Sequence, residues 1–231
     1  MSDVPQERLS SSYLEDLAFT ILSARVHTSD VILHPELTDE DRARLRSRLK
    51  QLARHDFPAS LTEDKALRRG YTLRQCCRLT IALLLIDAHL PASLAVVLAR
   101  NNEPIFLLAM AKRLAAEPQS APGPEDLIAV IISGELQNAI ASPTWLATDS
   151  GRVRLVRRDA IGGLWSDDLS GSGARLVVDV ATAAGALWDW ISGRRLMTDL
   201  ARTTLLTEIE REREPVSVPA NDGSVTQKQP T

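Results

Sequence analysis

The sequence predicts an α+β fold that is predominantly helical, with a helical N-terminal part followed by a small α/β domain. In the first half, apolar residues recur at three- and four-residue spacing, which is typical of amphipathic helices. Beyond a segment rich in Pro, Gly and Ser at 117–126, short β-branched runs replace that spacing. With 231 residues and 44% hydrophobic content, the chain has room for two modest domains.

The first element is predicted to be an amphipathic helix at about 7–24, because Leu and Ile follow helical spacing there. We expect residues 1–36 to form a separate segment that packs on the core or pairs with a second copy of the chain.

A second helix is predicted to begin at Thr38 and to end before Pro58. Thr38 is a good N-cap, and Asp41 stands at capping-box spacing from it. Proline closes the element because the residue before it avoids helical geometry. The buried face of this helix is expected to carry Leu45, Leu49 and Leu52.

The same helix carries a basic ridge at four-residue spacing, formed by Arg42, Arg46, Lys50 and Arg54. A solvated helix face gives a similar pattern. Solvated faces usually intersperse both signs, however, and this ridge holds no acidic residue. The ridge is therefore a candidate binding surface.

Positive charge is concentrated in one part of the chain. Between Arg42 and Arg78 there are eleven Lys or Arg and three acidic residues, a local net charge of +8 (11 − 3), although the whole chain carries −3. A basic region on an otherwise acidic protein predicts binding to a polyanion.

The segment KALRRGYTLRQ predicts a basic hairpin or wing, in which Gly70 permits a tight turn. Its candidate contact residues are Arg68, Arg69, Tyr71 and Arg74. A central buried helix is expected from Cys76 to Ile86, with Arg74 and Arg78 at its exposed start and both cysteines as core residues.

Two further helices are predicted behind Pro91 and Pro104. Past the 117–126 linker, the runs LIAVIIS, RVRLVRR and RLVVDVAT predict strands, and helices at 135–140 and 183–192 complete the α/β domain. A last helix at about 195–212 precedes a polar tail. The expected organisation is an N-terminal segment at 1–36, a DNA-contacting domain at 37–116 and the linker at 117–126. A small α/β domain at 127–213 and a disordered tail at 214–231 follow.

The stretch from Leu45 to Ala99 resembles the winged helix-turn-helix of MerR-type transcriptional regulators. Three pieces carry the resemblance: LRSRLKQLARHDFP matches the recognition helix, RRGYTL the wing, and LTIALLLIDAHLPASLAVVL the helix pair that follows. The long dimerisation helix and the metal-binding cysteines of that family have no obvious counterpart, so metal sensing is not carried over.

The resemblance implies binding to double-stranded DNA as a homodimer, with cytoplasmic, nucleoid-associated localisation. It places Arg42, Arg46 and Lys50 in or beside the major groove. It places four wing residues on phosphates and the minor groove: Arg68, Arg69, Tyr71 and Arg74. The C-terminal domain would mediate dimerisation, bind an effector, or contact RNA polymerase or another protein.

Two alternatives stay open. The basic helix could meet an acidic partner protein, or the chain could be a DNA-binding assembly protein such as a phage packaging or partition component. A phosphate loop, a dinucleotide fingerprint and a nucleophile elbow are all absent from the sequence, and the four histidines lack ligand spacing. No enzymatic activity, cofactor, metal or membrane association is expected.

Overall fold

The computed structural model describes residues 7–23, 38–59, 70–117, 120–132, 153–165 and 175–213. These ranges are mostly helical and include one small antiparallel sheet, so the predicted α+β class is confirmed. The helices are α1 (Leu14–Ser23), α2 (Asp39–Ala53), α3 (Leu73–Asp87), α4 (Ala92–Asn101), α5 (Glu103–Ala115), α6 (Val180–Gly193) and α7 (Asp199–Arg213). The strands are β1 (Leu127–Ile132), β2 (Val153–Arg157) and β3 (Arg175–Val178), and short 3-10 helices form at Ser11–Tyr13 and Arg158–Trp165.

Helix α3 lies at the centre of the fold. Its residues are buried from Leu73 to Leu85, except for Arg74, and α1, α4, α6 and α7 pack around it. A helix that is apolar on nearly all sides needs cover on all sides, as the sequence predicts. Cys76 and Cys77 are completely buried, which confirms their core role.

The sheet has the order β2-β1-β3, and both pairings are antiparallel. Leu127 lies opposite Arg157, and Ala129 lies opposite Val178. The α/β domain expected here was therefore wrong in its topology, because an interleaved α/β unit needs parallel strands. The helix predicted at 135–140 falls outside the described residues.

One hydrophobic core runs through both predicted domains. Leu17 of α1, Leu83 of α3, Ile131 of β1 and Trp188 of α6 belong to the same buried cluster. The segment predicted as a linker at 117–126 does not divide this core.

The described part of that linker folds back onto α5. Arg113 donates hydrogen bonds to the Ser120 hydroxyl and the Ala121 carbonyl, each at 3.1 Å. Asp126 is buried and accepts a hydrogen bond from the Gly123 amide at 2.8 Å. Residues 120 and 121 are thus bonded to α5.

The N-terminal segment reaches two distant parts of the fold. Leu9 and Tyr71 exchange backbone hydrogen bonds of 2.7 and 2.8 Å in an isolated antiparallel bridge. Gly70 beside it has φ +90°, a conformation that glycine adopts readily. The rest of the hairpin predicted before it, at 65–69, lies outside the described residues. The Glu7 carboxylate accepts hydrogen bonds from the Thr198 amide (2.7 Å) and hydroxyl (2.9 Å).

Within the described ranges, no single helix is both long and apolar enough to cross a membrane. Helices α4 and α5 reach the necessary length and composition only together, and they meet at a bend of 78°.

Candidate nucleic-acid interface

Helix α2 begins as its sequence predicts. The Thr38 hydroxyl accepts a hydrogen bond from the Asp41 amide at 3.1 Å, and the Asp41 carboxylate accepts one from the Thr38 amide at 3.3 Å. This capping box satisfies two amides that have no partner within the helix. Leu45 and Leu52 are buried, Leu49 is half-buried, and the helix packs on α1 and α4.

The first half of the basic ridge is neutralised by α1. Arg42 Nη1 lies 3.3 Å from Asp16 Oδ1, and Arg46 Nε lies 2.7 Å from Glu15 Oε1. The ridge contains no acid of its own, but the neighbouring helix supplies two. Arg46 is nevertheless 55% exposed, and the hydrogen bond that it donates to Glu15 raises the pKa of its guanidinium.

The second half of the ridge faces solvent. Lys50 and Arg54 are exposed, and no acidic side chain in the described part of the chain pairs with either. Arg46, Lys50 and Arg54 lie four residues apart and therefore follow one another along one helix face. We call these three residues the basic end of α2.

Two other cations of α2 lie elsewhere. Arg48 pairs with Asp87 at the end of α3, with 3.2 Å between Nη1 and Oδ1. Arg44 pairs with Glu40 one turn before it on the same helix. Neither adds free charge to the basic end.

The turn after α2 is fixed by an arginine from α4. Arg100 Nη2 donates hydrogen bonds to three backbone carbonyls, those of His55 (2.8 Å), Asp56 (3.1 Å) and Ala59 (3.2 Å). Its guanidinium also lies over the Phe57 ring, 5.6 Å from the centroid. Burial lowers the pKa of Arg100. The end of α2 is consequently held in place against α4.

Arg78 holds the same turn from α3. Its Nη1 donates to the Pro58 carbonyl at 3.3 Å, and its Nε lies 2.8 Å from Glu103 Oε2. The expectation that Arg78 stands at the exposed start of its helix was wrong, because only 5% of the side chain is exposed. An arginine can be buried when hydrogen bonds and an ion pair compensate its charge.

Arg74 is surrounded by carboxylates. Its Nε bonds to Glu103 of α5, and its two Nη atoms bond to Glu212 of α7 at 2.6 and 3.0 Å. Burial lowers the pKa of Arg74, but the hydrogen bonds to Glu212 and Glu103 outweigh it, so the pKa lies above its ordinary value. The expected contact between Arg74 and a phosphate is therefore not open in this arrangement.

The remaining wing residues are only partly described. Tyr71 is half-buried beside Leu9, and burial raises the pKa of its phenol. Arg68 and Arg69 lie outside the described residues. Of the eight predicted contact residues, the structure brings Arg46, Lys50 and Arg54 together on one exposed face.

Sequence reasoning missed Arg100 and the acidic pair on α1. Glu15 and Asp16 are visible in the sequence, but nothing local says that their helix packs beside the ridge. Arg100 lies in the last turn of an apolar helix, where a lone arginine is usually solvated.

No three His, Cys, Asp or Glu side chains come together as potential metal ligands within the described ranges. Comparison with protein-family models, with curated proteins and with solved structures finds no match to this chain.

Proposed function

We propose that this protein is a DNA-binding transcriptional regulator and that the basic end of α2 contacts the phosphate backbone of duplex DNA. The observation that carries the proposal is the exposed row of Arg46, Lys50 and Arg54 on one face of a fixed helix. Phosphate contacts of this kind supply most of the affinity of a protein for DNA.

Three features support this choice. The row has one sign of charge, and Lys50 and Arg54 have no acidic partner among the described residues. Arg100 holds the turn at its end, so its cations are presented from a fixed support. The segment 60–69, which follows directly, adds three further cations to two acids.

The test is fluorescence anisotropy of the purified full-length chain with a labelled genomic duplex, titrated from about 50 to about 200 mM salt. Three phosphate contacts predict that log K falls with log salt with a slope of about −3. Lys50→Glu with Arg54→Glu should weaken binding at least about tenfold and reduce the slope by about two.

The matched control is Lys112→Glu with Arg154→Glu. It changes the same residue types and the same net charge at exposed positions on α5 and β2, whereas α2 packs on α1 and α4. The control should bind the duplex almost as wild type does. Equal losses in the two double variants, or no binding at the lowest salt, would overturn the proposal.

Poly-glutamate provides a second discrimination, because an acidic partner protein is the alternative occupant of this face. A duplex should compete for the labelled DNA far better than poly-glutamate at equal total charge. If poly-glutamate competes equally well, the face recognises negative charge alone, and the regulatory role loses its support.

A further inference from the structure

A carboxylate at the end of α7 binds the Arg74 guanidinium in the geometry that a phosphate would adopt. Arg74 Nη1 lies 2.6 Å from Glu212 Oε1, and Nη2 lies 3.0 Å from Glu212 Oε2. This is the two-pronged geometry in which arginine binds carboxylates and phosphates alike. Glu208, one turn earlier, adds an oxygen 3.5 Å from Nη1. The side chain of Arg74 is only 19% exposed as a result.

Among the described residues, little else holds that last turn of α7. Ile209 is the last buried residue of the helix, and 210–213 are exposed. Within the described ranges, Arg74 is the one partner of the Glu212 side chain. Helix ends without buried contacts open at small cost, so this turn can lift while Leu205 and Ile209 stay in the core.

Arg74 would keep its place when the turn lifts. Its Nε remains bonded to Glu103, which lies on a different helix. Both Nη atoms lose Glu212, and these are the atoms that a phosphate would take, whereas Nη1 keeps Glu208 at 3.5 Å. Arg74 also stands one helical turn from Arg78, which bonds to Pro58 just beyond the basic end of α2.

We propose that Glu212 is an autoinhibitory stand-in for a DNA phosphate on Arg74, an inference that rests on the proposed DNA binding by α2. In the closed arrangement the basic end of α2 binds DNA without Arg74. Displacement of the last turn of α7 adds Arg74 as a further phosphate contact.

The test compares Glu212→Gln with Glu210→Gln in the full-length chain. Both variants remove one negative charge from the same turn, but Glu210 makes no contact with Arg74. We expect Glu212→Gln to bind a duplex about three- to tenfold more tightly than Glu210→Gln, with a salt slope steeper by about one. Adding Arg74→Gln to Glu212→Gln should remove the gain.

Each outcome separates this inference from the proposed function. Equal affinities for the two variants would overturn the autoinhibitory role, whereas the effect of Lys50→Glu with Arg54→Glu would still stand. Binding that appears only in Glu212→Gln would overturn DNA binding by the basic end of α2 without Arg74. No binding in any variant would overturn both proposals. If the Arg74 variant does not fold, the pair Glu212→Ala and Glu210→Ala repeats the comparison of duplex affinities without a change at Arg74.

Discussion

The Arg78 guanidinium lies 2.8 Å from the Glu103 carboxylate, and the two side chains are 5% and 11% exposed. This ion pair joins α3 to α5 inside the core. Arg74 bonds to the same carboxylate, so Glu103 has two arginine partners.

Arg78→Met should lower the free energy of unfolding by about 2 kcal/mol, because the buried Pro58 carbonyl loses its donor and Glu103 loses one of its two arginines. Urea unfolding, monitored by circular dichroism, measures this free energy. Arg48→Met, which breaks a half-exposed pair with Asp87, should cost less than about 1 kcal/mol. In a double-mutant cycle, Arg78→Met with Glu103→Gln should cost less than the sum of the single changes. Additive costs would contradict a direct coupling.

Gly70→Ala should destabilise the protein by about 2 kcal/mol or more. The added Cβ would lie 2.5 Å from the Leu9 carbonyl oxygen, and φ +90° is strained for any L side chain. Gly193→Ala is the control, since nothing lies within 4 Å of its Cβ position and alanine favours helix. In thermal unfolding, the melting temperature of Gly70→Ala should be lower than that of wild type, and that of Gly193→Ala should be higher. Equal melting temperatures would contradict the geometry of the bridge between Leu9 and Tyr71.

The two buried thiols predict a loss of stability in alkaline solution. Burial raises the pKa of Cys77 to about 12 and raises that of Cys76 further. An unfolded thiol titrates near pH 8.5, so the folded state holds protons that the unfolded state has released. The stabilisation is fully present below about pH 8.5 and falls as the pH rises towards the folded pKa values, by about 1.4 kcal/mol per pH unit for each thiol.

Urea unfolding at a series of pH values from neutral to alkaline measures that slope. Cys76→Ala with Cys77→Ala should be less stable at neutral pH but should show a flatter alkaline slope. Iodoacetamide should leave both thiols of the native protein unmodified and should label both in concentrated guanidinium chloride. Rapid labelling of the native protein would contradict the burial.

Arg100→Met should cost roughly 2 kcal/mol, because three carbonyls of the turn after α2 lose their shared charged donor. Arg100→Lys keeps the charge but cannot reach three carbonyls in the same way, so it should recover only part of the loss. Chemical unfolding measures the free energy of unfolding of both variants. Arg154→Met, at an exposed position on β2, is the control. A fully restored lysine variant would show that charge alone matters at this position.

Local sequence signals predicted most helices and strands well, although α1 begins at Leu14 and not near residue 7, because Leu9 pairs with Tyr71 in a β-bridge. Thr38 with Asp41, Pro91 and Pro104 each mark a helix start close to where the structure has it, because capping and proline geometry depend on neighbours in sequence. The strand runs were also found, but their antiparallel order was not. Pairing depends on which strands meet in space, and hydrophobic periodicity carries no such information.

The candidate site was predictable only in part. Exposure of Arg46, Lys50 and Arg54 follows from the period of α2. The ion pairs of Arg42, Arg46 and Arg74 could not be predicted, because α1 and α7 bring the acids to them. Glu212 is 138 residues from Arg74 in sequence. A count of charges along the sequence does not reveal an ion pair between residues so far apart.

The shared core sets an order of events during synthesis. Helix α3 needs α6 as cover, so its apolar surface stays exposed until the ribosome has passed residue 193. Contacts between segments so far apart close late and slow the folding of a chain. While residues 88–193 are made, the nascent chain therefore carries a long apolar helix without part of its cover, an exposed surface of the kind that chaperones bind.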